Sequence, residues 1–182
     1  AIEIDPDNAE YYSIRGDYYK NLEEYDKAID DYKKAMELDS EDVDYPTWLA
    51  EQYHYTNKEI DKALFYYNKV IDLNPSEPST YVDIAELYND IINDPNKALE
   101  YYNRSLKILN EIGNKNGIAK NLYDIGNIYL KQGKTSKALD YCTQGLALAE
   151  EIGVLKPQKN NCQCLYDTYK TMGNGNNALV YL

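Results

Sequence analysis

The chain has few of the residues that build metal centres and catalytic relays. Its 182 residues include one histidine, His54, and three cysteines. A zinc site needs about four protein ligands, and a single histidine does not provide a nucleophile–base arrangement. No glycine-rich phosphate loop follows a predicted strand. We therefore predict no enzyme, no metal site and no cofactor in this segment, and we expect His54 to lie on the surface at the end of a helix.

The cysteines are too few and too irregularly spaced for a disulfide framework. Their number is odd, and Cys162 and Cys164 form a lone C-x-C pair. The sequence therefore predicts that all three are reduced and mostly packed. The repeat described below places Cys142 and Cys162 on facing helices, so these two are expected to lie close together without a bond.

Long apolar runs and an excess of positive charge are also lacking. No run of about 18 apolar residues is present, so membrane insertion is not expected. The chain has 31 acidic and 19 basic residues and a net charge of -12. Such a surface repels phosphate backbones, which argues against a nucleic-acid partner. No signal-peptide pattern is visible, so the location stays unassigned and the cytoplasm is favoured over export.

Aromatic residues are present almost only as tyrosine, with 21 Tyr against one Phe and one Trp. An internal repeat explains this bias. A short motif recurs as KAIDDY, KALFYY, KALEYY, KALDYC and NALVYL, at spacings of 35, 35, 40 and 40 residues. Its alanines are Ala28, Ala63, Ala98, Ala138 and Ala178. An upstream column holds Tyr19, Tyr53, Tyr88, Tyr129 and Tyr169, and three residues before each of the first four stand Gly16, Ala50, Ala85 and Gly126.

This pattern resembles the tetratricopeptide repeat, and the best match is NLYDIGNIYLKQGKTSKALDYC. The resemblance covers essentially the whole chain. It implies an all-α, right-handed superhelical solenoid in which each copy is an antiparallel pair of helices, A and then B. We place the copies in a single array over 1–182, with the end of a truncated copy at 1–8, full copies at 9–42, 43–77, 78–117 and 118–157, and a partial copy at 158–182.

The copies differ in length at two places. Ten residues separate Tyr53 from Ala63, whereas nine separate Tyr19 from Ala28. We therefore expect the second and third copies each to carry one extra residue in the A–B turn. The 40-residue spacing further on predicts that helix B is longer by about a turn, as in the longer-repeat subclass of the family.

The resemblance also implies a ligand-binding stripe on the A helices, next to the packing stripe. In chaperone-binding members this stripe holds an acidic peptide with basic side chains, whereas here several of those places are acidic. The stripe predicts a basic or amide-rich partner segment that Tyr123 and Asn127 help to hold. The candidate groove residues are Asp17, Lys20, Glu51, His54, Glu86, Asn89, Tyr123, Asn127, Leu130, Asp167 and Lys170.

Two functions follow from the repeat. The first is a protein- or peptide-binding scaffold that uses the concave face of the superhelix. The alternative is a sensory or regulatory arm of a larger bacterial signalling protein, with its output domain outside this segment. A third interpretation, a purely structural spacer, predicts no ligand at all. Self-association through the truncated ends is a further expectation about partners.

Overall fold

The computed structural model describes residues 2–182, which fold into helices joined by short turns, with no β-strand in this range. The all-α fold is therefore confirmed. The helices fall into two compact units, one ending at Ser76 and the other beginning at Glu77. None of the described helices is both long and apolar enough to cross a membrane.

Unit 1 contains the first two copies. Its α-helices are α1 (Ala9–Asn21), α2 (Tyr25–Leu38), α3 (Asp44–Glu51) and α4 (Ile60–Leu73). A π-helical turn, π1 (Gln52–Thr56), continues α3 and completes helix A of the second copy. Helices α1 and α2 form the first pair, and α3 with π1 and α4 form the second.

Unit 2 contains the third, fourth and fifth copies. Its α-helices are α5 (Pro78–Leu87), α6 (Pro95–Glu111), α7 (Lys115–Lys131), α8 (Thr135–Glu151), α9 (Leu155–Thr171) and α10 (Gly175–Ala178). A second π-helical turn, π2 (Tyr88–Ile92), continues α5, and a short 3₁₀ helix (Leu179–Tyr181) follows α10. The A helices of this unit are thus α5 with π2, α7 and α9.

Side-chain caps explain where several helices begin. The Asp94 carboxylate accepts a hydrogen bond from the Lys97 amide at 3.1 Å, and Pro95 occupies the first position of α6. The side chain of Asn114 accepts from the Gly117 amide at 3.0 Å in the same way. Each cap satisfies an amide that has no partner within the helix.

Small residues lie where the paired helices touch. The repeat alanines of the first four copies are fully buried, which confirms the predicted packing: Ala28, Ala63, Ala98 and Ala138 are each 0% exposed. Gly16 is buried on α1, and a Cβ added there would lie 3.1 Å from the Tyr32 ring. The close approach of α1 and α2 therefore depends on the absence of a side chain at Gly16.

The tyrosine bias has a structural cause. In the last four copies, the column tyrosine of helix A stacks on a tyrosine of helix B, with ring centroids 5.4–5.8 Å apart: Tyr53–Tyr66, Tyr88–Tyr101, Tyr129–Tyr141 and Tyr169–Tyr181. The lysine before each repeat alanine places its ammonium 4.9–5.2 Å from the ring of the column tyrosine in the first four copies: Lys27, Lys62, Lys97 and Lys137. The KA motif therefore supplies both a packing alanine and a cation for the ring.

The first copy replaces the tyrosine stack with an ion pair. Arg15 stands where other copies have leucine or isoleucine, and its guanidinium binds the Asp31 carboxylate through two bonds of 2.7 and 2.6 Å. Asp31 occupies the place of the stacking tyrosine on helix B and is 5% exposed. The two departures of this copy from the repeat pattern therefore compensate each other.

The later copies are longer in both helices. The B helices α6 and α8 have 17 residues each, against 14 in α2 and α4. The A helices α7 and α9 also have 17 residues, against 13 in α1. They begin at Lys115 and Leu155, a few residues before the copy starts placed at 118 and 158. The extra residues of the longer copies are thus shared between helix B and the next helix A.

The extra residue of the second and third copies lies in the π-helical turns. In the first copy the Glu24 amide donates to the Tyr19 carbonyl, five residues back, at 2.9 Å. In the second copy the corresponding bond, from Glu59 to Tyr53, spans six residues at the same length. The expectation that this residue lies in the A–B turn is therefore wrong: a π-helical turn absorbs it inside helix A, and such turns are frequent at functional sites.

The expectation of three reduced cysteines is wrong in the structure. Cys142 on α8 and Cys164 on α9 form a disulfide with a Cα–Cα distance of 6.2 Å, and both are buried. Cys162, which the sequence placed next to Cys142, is partly exposed and free. The reason is the buried stripe of α9, which runs through Asn161, Cys164 and Leu165 at helical spacing and leaves Cys162 beside it.

Candidate functional site

Unit 1 contains two adjoining depressions on its A helices. The first, here called the α1–α3 groove, has a volume of about 400 Å³ and is lined by residues that include Glu10, Asp17, Lys20, Asp42, Asp44 and Trp48. The second, here called the turn cleft, has a volume of about 500 Å³ and lies at the ends of α1 and α3. It is lined by residues that include Lys20, Glu23, Tyr25, Trp48, Glu51, Gln52 and Tyr55. Three of the predicted groove residues, Asp17, Lys20 and Glu51, thus line these depressions.

Asp17 is held by a tyrosine of helix B. The Tyr32 hydroxyl donates to the Asp17 carboxylate at 2.7 Å. Burial of Tyr32, together with this hydrogen bond, raises the pKa of its hydroxyl, so it remains a donor at neutral pH. The bond fixes the carboxylate in the α1–α3 groove, and the remaining lone pairs of Asp17 face solvent because its side chain is exposed.

Trp48 joins the two depressions. Its indole stacks on the Tyr32 ring at a centroid distance of 4.2 Å and is 8% exposed. The Lys20 ammonium lies 5.9 Å from the centroid of the same indole. No carboxylate of residues 2–182 forms an ion pair with Lys20. The aromatic surface is therefore the structural contact of this cation.

The expectation that His54 lies on the surface is wrong. His54 is 5% exposed, and its Nδ1 shares a hydrogen bond of 3.0 Å with the Tyr67 hydroxyl. Its ring also stacks on Tyr55 at 4.0 Å. The cause is π1, because the longer hydrogen-bond step of a π-helical turn changes the direction of every side chain that follows Glu51. His54 therefore supports the wall of the turn cleft from inside.

In unit 2 most of the predicted stripe residues are partly buried, whereas Asp17, Lys20 and Glu51 of unit 1 are exposed. Glu86 is half-buried, burial raises its pKa, and the Lys120 ammonium at 4.0 Å opposes that rise. Asn89 donates to Asp90 at 2.5 Å. Asn127 and Leu130 are both partly buried on α7. These side chains therefore line a partly desolvated surface of α5, π2 and α7.

The remaining stripe residues have partners of their own. Tyr123 packs against the buried cluster of Cys142, Cys164 and Leu165, so only part of its ring is open to a ligand. On α9, Asp167 accepts a hydrogen bond from Gln163 at 3.0 Å. Lys170 is exposed, with its ammonium 5.7 Å from the centroid of the Tyr166 ring.

Sequence reasoning missed Asp124, which lies between Tyr123 and Asn127 on α7. Burial raises the pKa of this carboxyl to about 7, with Lys120 opposing the rise and Glu86 and Asp90 adding to it. Its Oδ2 is buried and accepts no hydrogen bond from residues 2–182. One clue exists in the sequence, because Asp83 occupies the same column one copy earlier.

The side chains that line the two depressions of unit 1 are mainly hydrogen-bond acceptors and aromatic rings. Among the described residues, no group of three or more His, Cys, Asp and Glu side chains is placed to hold a metal ion. The depressions of unit 1 offer aromatic rings, exposed carboxylates and one lysine. Such surfaces bind cations and hydrogen-bond donors.

Comparisons with known proteins agree with this architecture. Three family models, each described as tetratricopeptide repeat, match residues 9–42, 48–77 and 76–151. No curated protein matches the chain. Among solved structures, BtubC (BKLC) from P. vanneervenii is similar at a TM-score of 0.78 and 19% identity, over 100% of this chain and 81% of that one.

Two further structures have the same fold. MamA is similar at a TM-score of 0.74 and 19% identity, over 95% of this chain and 87% of that one. YrrB, described as a TPR protein with an unusual peptide-binding site, is similar at a TM-score of 0.71 and 20% identity, over 100% of this chain and 86% of that one. With the family matches and the helix pairs together, this chain belongs to the tetratricopeptide repeat family.

Proposed function

We propose that this protein is an interaction scaffold that binds extended segments of partner proteins along its A helices. Tetratricopeptide repeats and the peptide-binding site named for YrrB support a role in protein interaction. A scaffold needs no catalytic group, and we propose none for this segment. The partner segment is basic or amide-rich.

The charge of the two depressions in unit 1 carries this proposal. Six carboxylates line the α1–α3 groove and the turn cleft, and Lys20 is the one cationic side chain in either lining: Glu10, Asp17, Glu23, Asp42, Asp44 and Glu51. A groove with one sign of charge focuses its potential and attracts partners of the opposite sign. In unit 2, the amide of Asn127 and the exposed part of the Tyr123 ring suit a peptide backbone and its side chains.

A peptide screen at two salt concentrations tests the proposal. Basic and amide-rich peptides are expected to dominate the hits, and basic ones to bind more weakly at physiological ionic strength, where exposed charges are screened beyond about 8 Å. The double variant Glu51→Lys, Glu86→Lys is expected to bind basic peptides more weakly still while remaining folded by circular dichroism.

A matched control separates the stripe from overall charge. Asp30 on α2 and Glu111 on α6 are exposed carboxylates of B helices. The variant Asp30→Lys, Glu111→Lys changes the net charge equally and is expected to retain most of the binding. Predominantly acidic hits, or equal losses in both double variants, would contradict the proposal.

The signalling role and self-association are separate from this proposal. A sensory or regulatory arm of a signalling protein gains no support from the comparisons, so we do not propose it. Self-association stays a prediction. Exposed apolar side chains at Leu179, Val180 and Leu182 support it. Sedimentation over a range of concentrations tests it.

A further inference from the structure

We propose that the turn cleft is an anchor site for a single lysine or arginine side chain of the partner segment. This inference rests on the proposed function and names the chemistry that the partner carries at one position. The cleft is a discrete depression of about 500 Å³ between the ends of α1 and α3, and π1 forms part of its wall. It therefore has room for one long side chain.

The walls of the cleft match a cationic group. Trp48, Tyr25 and Tyr55 provide aromatic surface, and an ammonium or guanidinium is attracted to the face of such rings. Glu23 and Glu51 add two exposed carboxylates, and neither forms an ion pair with any of residues 2–182. A cation that enters the cleft therefore meets carboxylate acceptors for charge-assisted hydrogen bonds as well as aromatic surface.

Gln52 is an independent sign of a donor ligand. It is 7% exposed and lines the cleft from π1. Its one side-chain hydrogen bond within the described residues is a donation from Nε2 to Asn57 at 3.4 Å. The amide oxygen of Gln52 thus accepts no hydrogen bond from residues 2–182, and lysine and arginine side chains carry only donors. An ionised carboxylate ligand has no hydrogen to donate to this oxygen.

Lys20 shows that the cleft accepts a cation. Its ammonium already lies over the Trp48 indole at 5.9 Å from the ring centroid, without an ion-pair partner among residues 2–182. A partner cation that approaches the same indole meets a like charge. We therefore expect Lys20 to compete with the partner side chain, so its removal strengthens binding.

The π-helical turn π1, which absorbs the one-residue insertion of the second copy, forms part of this site. This turn carries Gln52 and Tyr55, which both line the cleft. The same turn buries His54 behind Tyr55, with a ring distance of 4.0 Å. The departure from regular α-helix thus places an amide acceptor and an aromatic ring on one wall.

The experiment uses the whole chain and three labelled peptides in which serine alternates with lysine, glutamine or glutamate. Fluorescence anisotropy of the peptide reports binding anywhere on the protein. Emission of Trp48, the one tryptophan of the chain, reports occupation of the cleft. We expect the lysine peptide to change Trp48 emission in a saturable way, and the glutamate peptide to leave it unchanged.

Three variants sharpen the test. Glu51→Gln is expected to weaken the affinity reported by Trp48 about threefold, in line with the loss of one exposed charge pair. Lys20→Met is expected to strengthen it by a similar factor. Asp30→Asn removes an exposed carboxylate of α2 outside the cleft and is expected to change it less than twofold.

The outcomes separate the two proposals. Anisotropy changes without any response of Trp48 would overturn the anchor site and leave the scaffold intact. Equal weakening by Glu51→Gln and Asp30→Asn would also overturn it, because overall charge alone would then account for binding. No anisotropy change with any of the peptides would count against both.

Discussion

The early and late copies reverse the chain between helices A and B with different residues. In the first and second copies the left-handed position of the A–B turn is held by Glu23 and Lys58, with φ of 60° and 55°. In the fourth and fifth copies Gly133 and Gly173 hold it, each with φ of 72°. Only glycine adopts this conformation without steric penalty. The late copies therefore make the same turn with less strain.

The A helices of the early and late copies also differ. The late A helices α7 and α9 are continuous over 17 residues, whereas helix A of the second copy changes from α to π geometry after Glu51. The groove and the turn cleft both lie in unit 1, and Glu23 of the first strained turn lines the turn cleft. Backbone strain tends to be concentrated where a protein binds or reacts. The fourth and fifth copies have neither a π-helical turn nor a non-glycine residue with positive φ within residues 115–182.

A covalent bond strengthens the late copies further, and its removal is the largest effect we predict. All three cysteines lie in unit 2, and Cys142–Cys164 links α8 to α9 across a separation of 22 residues. A loop of this size stabilises a fold by about 3 kcal/mol. We expect a reductant to lower the free energy of unfolding by that order, measured by chemical denaturation.

Two variants serve as controls for the disulfide. Cys142→Ala lacks the bond, so a reductant should not lower its unfolding midpoint. Cys162→Ser retains the bond and should respond to reductant as the natural sequence does. An unchanged midpoint of the natural sequence on reduction would show that the bond contributes nothing to the difference between the early and late copies.

The sequence predicted the contacts that repeat and missed the contacts that do not. Columns of alanine and tyrosine identified the helix pairs because each copy repeats the same packing. The disulfide was missed because the choice between Cys162 and Cys164 depends on which face of α9 turns inward. Tyr166 stands in the column of Gly126 but is partly exposed, whereas Gly126 is buried and a Cβ added there would meet the Cys142 sulfur. That local change of packing is absent from the repeat pattern.

The site was predicted in the same partial way. Asp17, Lys20 and Glu51 line the depressions of unit 1 because their columns keep α-helical spacing up to Glu51. His54 was misplaced because the insertion was assigned to the turn instead of the helix. Asp124 was missed because the sequence alone does not distinguish a buried aspartate from an exposed one. Whether this side chain is buried depends on how the neighbouring helices pack against it.

Asp124 provides the second prediction, which concerns the late copies at neutral pH. Its carboxyl has a pKa of about 7 in the fold, against an ordinary 3.8. The folded state thus holds the proton over this range while the unfolded state releases it, so stability falls as the pH rises from about 4 to about 7 and is level above. Asp124→Asn is expected to stabilise the protein by about 1–2 kcal/mol at neutral pH and to have little effect near pH 4.

Denaturation at a series of pH values measures this difference. Asp140→Asn on α8 is the matched control, because it removes the same charge from an exposed position of the same unit. It is expected to change the stability at neutral pH much less than Asp124→Asn does. If Asp124→Asn behaves like this control, the Asp124 carboxyl is ionised in the fold at little cost, and the pKa of about 7 is wrong.

The smallest predicted effects concern the turns themselves and have opposite signs in the two regions. Gly133→Ala adds a methyl group that meets no atom within 4 Å, so the change acts through φ alone. It is expected to cost about 1 kcal/mol. Lys58→Gly removes an exposed side chain that forms no ion pair with residues 2–182. It is expected to stabilise by about 0.5–1 kcal/mol, since relief of the left-handed strain exceeds the added freedom of the unfolded chain.

Gly175→Ala is the control for both turn variants. Gly175 also has open space around it, but it begins α10 with no positive φ. Alanine there is expected to be neutral or slightly stabilising, because alanine favours helix over glycine. A loss at Gly175 equal to that at Gly133 would show that the backbone conformation is not the cause. A loss on Lys58→Gly would show that the early turn is not strained, and that the two regions differ in sequence but not in the free energy of their turns.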